Sequence, residues 1–243
     1  MESKTLGVLG GLGPMSSAYF YEMLTAHTKA ERDSDHLNIL ISSRADTPDR
    51  TDYILGTSDR NPLPVMNDEV KKLIGAGADM IAIPCNTAHY FYEGISASAD
   101  VPVINIIRQT ALFCFRSGFK RVGLLATDGT VLSGAYAEIF SRAQIECVTP
   151  DENDQAKVMD IIYGKIKKGI MPEKKDFLEI SDKLFALGCE KVILGCTELS
   201  LLKREFGLGD EFIDSLEVLA LSAIKLCGKE PMGFSDELMS FKP

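Results

Sequence analysis

Residues Lys72–His89 read KLIGAGADMIAIPCNTAH, and residues Lys183–Ser200 read KLFALGCEKVILGCTELS. Written one above the other at a constant offset of 111 positions, without a gap, they pair Lys72 with Lys183, Leu73 with Leu184, Gly77 with Gly188, Asp79 with Glu190 and Cys85 with Cys196. Each copy is the end of an amphipathic stretch, a glycine, a short apolar run, and a cysteine where the run gives way to polar residues. A second pair keeps step with the first. KTLGVLGGLGPMSSAYFYEML from Lys4 lies over KRVGLLATDGTVLSGAYAEIF from Lys120 at an offset of 116, matching Gly7 with Gly123, Leu9 with Leu125, Gly13 with Gly129, Ser17 with Ser133 and Glu22 with Glu138. Two blocks in the same order at nearly the same offset mean that each half holds a strand, a glycine turn and a helix, then a strand ending in cysteine.

Working outward, short apolar runs recur along the chain: TLGVL, LNILIS, MIAIP and PVINI, then RVGLLA, IECVT, KVILG and EFID. Runs of this length and type read as buried parallel strands. The stretches between them, such as MNDEVKKLIGAG and DFLEISDKLFALG, carry apolar residues at helical spacing. The fold class is therefore α/β: two similar lobes, each a parallel four-stranded sheet flanked by helices, related by pseudo-twofold symmetry. The reading places the first lobe at residues 1–108 and the second at 109–213. It packs a helix over 214–227 back on the first lobe and leaves 228–243 as a tail without a role. Linkers rich in Pro, Gly or Ser are absent, which predicts tightly docked lobes.

Composition sets limits. The 243 residues carry a net charge of -9, which argues against broad attraction to nucleic acid or to an anionic membrane surface. No apolar run approaches the roughly 20 residues of a membrane span, and MESKTLGVLGG lacks the features of a signal peptide, so the expected location is cytoplasmic. The six cysteines lack close-paired spacings and read as reduced thiols. With no CxxC, and with His27, His36 and His89 scattered, no metal site is expected.

Ligands of doubly wound sheets bind beyond the carboxyl ends of the strands. Four loops fit: GGLGPMSS, PCNTAH, ATDGT and GCTELS. If the lobes face each other, Cys85 and Cys196 flank one cleft. Inverting a stereocentre requires a base on one face and an acid on the other. A thiol, with an ordinary pKa of about 8.5, takes either state near neutral pH after a modest shift. Free amides at a helix N-terminus after each cysteine favour the thiolate. Asn86, Thr87 and Thr197 are short donors able to hold a substrate. Glu198 is ambiguous, because a nearby carboxylate raises a thiol's pKa. Cys114, Cys147, Cys189 and Cys227 read as small core fillers.

GGLGPMSS falls short of a dinucleotide fingerprint, since Ser16 stands at the third glycine position. Pro14 suits a helix start, so an anion-binding turn at this loop is one reading, with Gly11 as a supporting residue; a simple tight turn is the other. ATDGT offers Thr127 and Thr130 on the same footing. His89 lies four residues after Cys85, but its counterpart in the repeat is Ser200, so symmetry gives it no support as a base.

At PCNTAH, GCTELS and GGLGP the chain resembles the aspartate/glutamate racemase family, specifically its aspartate-racemase branch, over nearly all residues to about 228. The resemblance implies an active site between two α/β lobes, no pyridoxal phosphate or other cofactor, no metal, and Cys85 and Cys196 as the two bases. The branch also carries a PDRT segment and an IKxG segment that supply basic residues to the substrate. Here they are Pro48–Thr51 and Ile166–Gly169, which carries those roles to Arg50 and Lys167. The implied substrate is a small dicarboxylic amino acid, aspartate first. Glutamate or broad-specificity racemisation, isomerase or decarboxylase chemistry, a non-catalytic amino-acid-binding protein and a thiol redox protein are the alternatives. A homodimer is the default assembly for a soluble enzyme.

Overall fold

Each of the eight apolar runs forms a strand in the computed structural model, which describes residues 4–243. They are β1 (Leu6–Gly10), β2 (Ile39–Ser43), β3 (Met80–Ala82), β4 (Val103–Ile104), β5 (Arg121–Leu125), β6 (Glu146–Val148), β7 (Lys191–Leu194) and β8 (Phe212–Asp214). All pairings are parallel, in two four-stranded sheets ordered β2-β1-β3-β4 and β6-β5-β7-β8. The duplication seen in the sequence is thus a duplication of topology. In the first sheet Leu6 pairs with Ile39 and Met80, and in the second Val122 pairs with Cys147 and Lys191. The central strands β1, β3 and β7 are almost wholly buried, as parallel strands covered on both faces must be.

Matched glycines let the covering helices approach. A Cβ on Gly7 would stand 2.7 Å from Ile81 Cδ1 and 2.8 Å from Ala78 Cβ. A Cβ on Gly123 would stand 2.9 Å from Leu184 Cδ1. The repeat conserves these two glycines because the helices Leu63–Gly75 and Lys174–Ala186 end in the turns that close over them.

The lobes are joined by two helices. Ile106–Ser117 leaves β4 and packs against Ala135–Arg142 of the second lobe, while Ser215–Leu226 leaves β8 and packs against Pro14–Ala26 of the first. The two also pack on each other. SLEVLALSAIKL is apolar on nearly every side, as a helix enclosed by neighbours should be. One core cluster accordingly runs through both lobes, from Leu6, Val8 and Phe20 to Val122, Phe140 and Leu219. Residue 108 lies inside the first of these helices and residue 213 inside β8, so neither lies in a loop.

The tail is docked. His27 stacks on Phe234 with ring centroids 4.1 Å apart, Met232 N donates to His27 O at 2.8 Å, and Leu238 and Phe241 are buried. Glu237 pairs with Lys191 of β7 at 3.3 Å, so the tail touches both lobes. Among the described residues no helix is long and apolar enough to cross a membrane.

Gly7→Ala should lose about 1–3 kcal/mol of stability by overpacking against Ile81 and Ala78. Gly75→Ala has open space around it and should lose nothing or gain up to about 1 kcal/mol. Urea denaturation of the two variants reads both, and equal losses would contradict the close-approach account.

Candidate active site

The four loops meet where the carboxyl ends of the central strands face one another. Cys196 caps the helix Thr197–Phe206, reached from β7 through Gly195, where a Cβ would collide with Leu124. Cys85 follows β3 through Ile83 and Pro84 and leads into a 3-10 turn, Thr87–Phe91, so only the second cysteine stands at the start of an α-helix. Both are nearly buried, at 7% and 5% exposure, and both line one cavity. The cavity is closed to about 10 Å³, room for about one water molecule.

On the first-lobe side Arg50 opens the short helix Arg50–Ile54, capped by Asp49, whose side chain accepts from Asp52 N at 3.1 Å. The Arg50 guanidinium is held by backbone carbonyls: Nη2 donates to Leu12 O at 2.6 Å and Nη1 to Pro48 O at 3.1 Å. Its buried Nε has no partner. Burial opposes the guanidinium charge, but Cys85, Asp49 and Tyr163 outweigh it and its pKa is raised. Thr51 Oγ1, also buried and on the cavity wall, is likewise without a partner.

On the second-lobe side an acid lies between a thiol and an ammonium. Cys196 Sγ donates to Glu198 Oε2 at 3.0 Å, and Lys167 Nζ meets Glu198 Oε1 at 2.6 Å. Burial and then Glu198 push the Cys196 thiol well above its ordinary pKa, against the opposing pull of Lys167. The expectation that a helix N-terminus favours a thiolate at this position is therefore corrected: the first-turn amides are outweighed by desolvation and a carboxylate. Burial opposes the Lys167 charge, but Glu198, Cys196 and Cys85 raise its pKa, so Lys167 senses both sulfurs.

Hydroxyls and amides close the seam. Thr87 Oγ1 lies 2.9 Å from both Thr127 Oγ1 and Thr130 Oγ1, tying the lobes together. Thr197 Oγ1 donates across the seam to Pro84 O at 3.2 Å. Asn86 donates to Ser215 Oγ at 3.0 Å and accepts from Tyr136 Oη at 2.7 Å. Gly13 and Gly129, a matched pair, mark the closest approach: a Cβ on Gly13 would collide with Glu198, and one on Gly129 with Thr51.

A duplicated α/β pair with one cysteine per lobe in a shared cavity invites comparison with known proteins. The sequence model of Asp/Glu/Hydantoin racemases matches residues 9–223. The chain belongs to this family. The broad specificity amino-acid racemase RacX of Bacillus subtilis is 28% identical over 231 residues, covering 90% of this chain and 96% of RacX. Glutamate racemase of Aquifex aeolicus is 32% identical over 153 residues, 60% of this chain and 58% of that enzyme. Among solved structures, the aspartate racemase of Picrophilus torridus has a TM-score of 0.81 at 29% identity, covering 94% of this chain and 96% of its own.

Of the residues singled out in this racemase-family sequence, Cys85, Cys196, Arg50, Asn86, Thr87, Thr127, Lys167, Thr197 and Glu198 line the cavity. Thr130, His89 and Gly11 do not line it. Thr130 stands behind Thr127. Gly11 takes φ +81° against the Arg44 backbone, and its N–H donates to Ser17 Oγ at 2.9 Å, which makes it a turn residue. His89 is a buried prop: Nδ1 contacts Cys85 O at 2.8 Å, and Nε2 accepts from Ile106 N at 3.2 Å. Burial lowers its pKa to about 4, so the neutral ring donates from Nδ1 and holds the cysteine loop.

Leu12, Thr51 and Tyr163 line the cavity without having been singled out. Thr51 closes the PDRT segment. Tyr163 precedes Lys167 by four residues on a π-helical stretch, Asp160–Lys165, and its Oη reaches Asp49 at 3.2 Å. Helical spacing from Lys167 was the available signal for Tyr163.

Between about pH 6.5 and 4 the unfolded chain takes up a proton at His89 that the folded ring refuses, so this residue removes stability as the pH falls through that window. Wild type and His89→Gln should differ in unfolding free energy by an amount that changes by on the order of 3 kcal/mol from pH 7 to pH 4. A difference that stays flat over that range would show that the ring is not held neutral.

Proposed function

We propose that the chain interconverts L- and D-aspartate by moving a proton across Cα between Cys85 and Cys196, without a cofactor. The observation that carries this reading is the pair of matched cysteines, one per lobe, on the wall of one buried cavity that also holds Arg50 and Lys167. A thiolate at Cys85, with the Arg50 guanidinium as counter-charge, takes the α-hydrogen from one face. The Cys196 thiol, kept protonated by burial and Glu198, returns a proton to the other. For the opposite enantiomer the roles exchange.

The deprotonated carbon needs its carboxylate stabilised. The amides at the start of the Thr197–Phe206 helix and the charges of Arg50 and Lys167 serve this purpose, in a site with room for about one water molecule. A dicarboxylate suits two buried cations in a protein of net charge -9. The likeness to the Picrophilus torridus aspartate racemase along nearly both whole chains supports the substrate. Broad-specificity racemisation is the second reading, favoured by the similar coverage of RacX.

Incubated with L-aspartate in deuterated water under reducing conditions, the protein should form D-aspartate labelled at Cα. Cys85→Ala and Cys196→Ala should each lower inversion by about 10²-fold or more. Full activity in either variant would rule out two bases, whereas turnover of glutamate but not aspartate would overturn the substrate and spare the mechanism.

A further inference from the structure

We infer that Glu198 accepts the α-ammonium group of the substrate, and that the amino acid enters by separating the Lys167–Glu198 ion pair and taking one pole of itself to each partner. The inference rests on the racemase reading above and adds the recognition of the amine. An ammonium group buried without an acceptor is strongly disfavoured. Glu198 is the sole carboxylate among the residues that line the cavity. Of the other acceptors, the Thr87, Thr127 and Thr130 hydroxyls bind one another and the Asn86 carbonyl binds Tyr136, while the unpartnered Thr51 Oγ1 is neutral and offers an ammonium no counter-charge.

Distance points the same way. Proton transfer requires Cα within about 3–3.5 Å of the Cys196 sulfur, and the amine nitrogen is one bond of about 1.46 Å from Cα. Glu198 Oε2 already lies 3.0 Å from that sulfur. These distances allow an α-ammonium to reach the carboxylate while Cα stays in range of the sulfur. Gly13 is the matching concession on the first lobe, since any side chain there would collide with Glu198.

Lys167 and Glu198 touch at 2.6 Å, and the space left in the cavity holds about one water molecule. The pair thus stands where the substrate must go. A zwitterion relieves both halves: its ammonium replaces Lys167 Nζ on Glu198 Oε1, and its carboxylate receives the released Lys167. No buried charge is left alone. Until the thiol gives its proton to Cα, Glu198 Oε2 keeps its bond from it, so the two oxygens of one side chain face the amine and the sulfur separately.

The test compares equilibrium binding, by calorimetry at pH 7, of L-aspartate and L-malate, which carries a hydroxyl in place of the amine; for another side chain the corresponding 2-hydroxy acid is used. Wild type should prefer the amino acid by at least about tenfold, the loss expected when a charge-assisted bond is removed. In Glu198→Gln the preference should narrow to within about threefold, and Glu198→Asp should restore it. Equal binding of the two ligands to wild type, which needs no variant to fold, overturns the inference, as does a tenfold preference surviving in Glu198→Gln. Wild type that exchanges the α-hydrogen but shows no preference overturns the inference alone. Wild type that exchanges the α-hydrogen of no amino acid overturns the racemase reading and the inference with it.

Discussion

The seam between the lobes is filled by apolar side chains that belong to neither lobe alone. Phe20 from the first lobe, Phe140 from the second, and Leu219 and Ile224 from the joining helix share one cluster. Returning each to water costs about 1.5–3 kcal/mol, so exposing these four would consume most of the 5–15 kcal/mol by which a domain is stable. Separating the lobes along this seam is therefore costly. The cavity wall itself includes thin elements, the five-residue helix with Arg50 and the irregular stretch with Tyr163 and Lys167. π-Helical turns are frequent at functional sites.

The two halves keep the same architecture and divide the chemistry unequally. At the 111-residue offset Thr87 corresponds to Glu198 and Asn86 to Thr197. Thr87 closes its side of the seam through hydroxyl contacts, while Glu198 brings a buried charge to the other. Symmetry supplies two sulfurs, and departures from it make their surroundings different. A reaction that removes a proton from one face and returns it to the other needs both properties.

The sequence made the strands legible because parallel strands buried on both faces must be apolar runs, and all eight runs form strands. It made Cys85 and Cys196 legible because the repeat aligned them at strand ends. The state of Cys196 was not legible, since it depends on burial and on which way Glu198 turns. His89 looked like a neighbour of Cys85 at helical spacing, yet the turn after Cys85 is a 3-10 turn that aims its ring at backbone groups. Tyr136 and Ser215 hold Asn86 from 50 and 129 residues away, and no local pattern announces contacts of that range. The tail has no periodicity of its own, and its place is set by surfaces supplied elsewhere, such as the His27 ring.

The smallness of the cavity also bears on the durability of the thiols. Oxidation of a cysteine requires a peroxide or a disulfide to reach the sulfur, and both cysteines are all but buried in a narrow cavity. The reduced pair is thereby shielded from oxidants in the surrounding medium. A bound amino acid, by filling the gap, would act as a cork against damage.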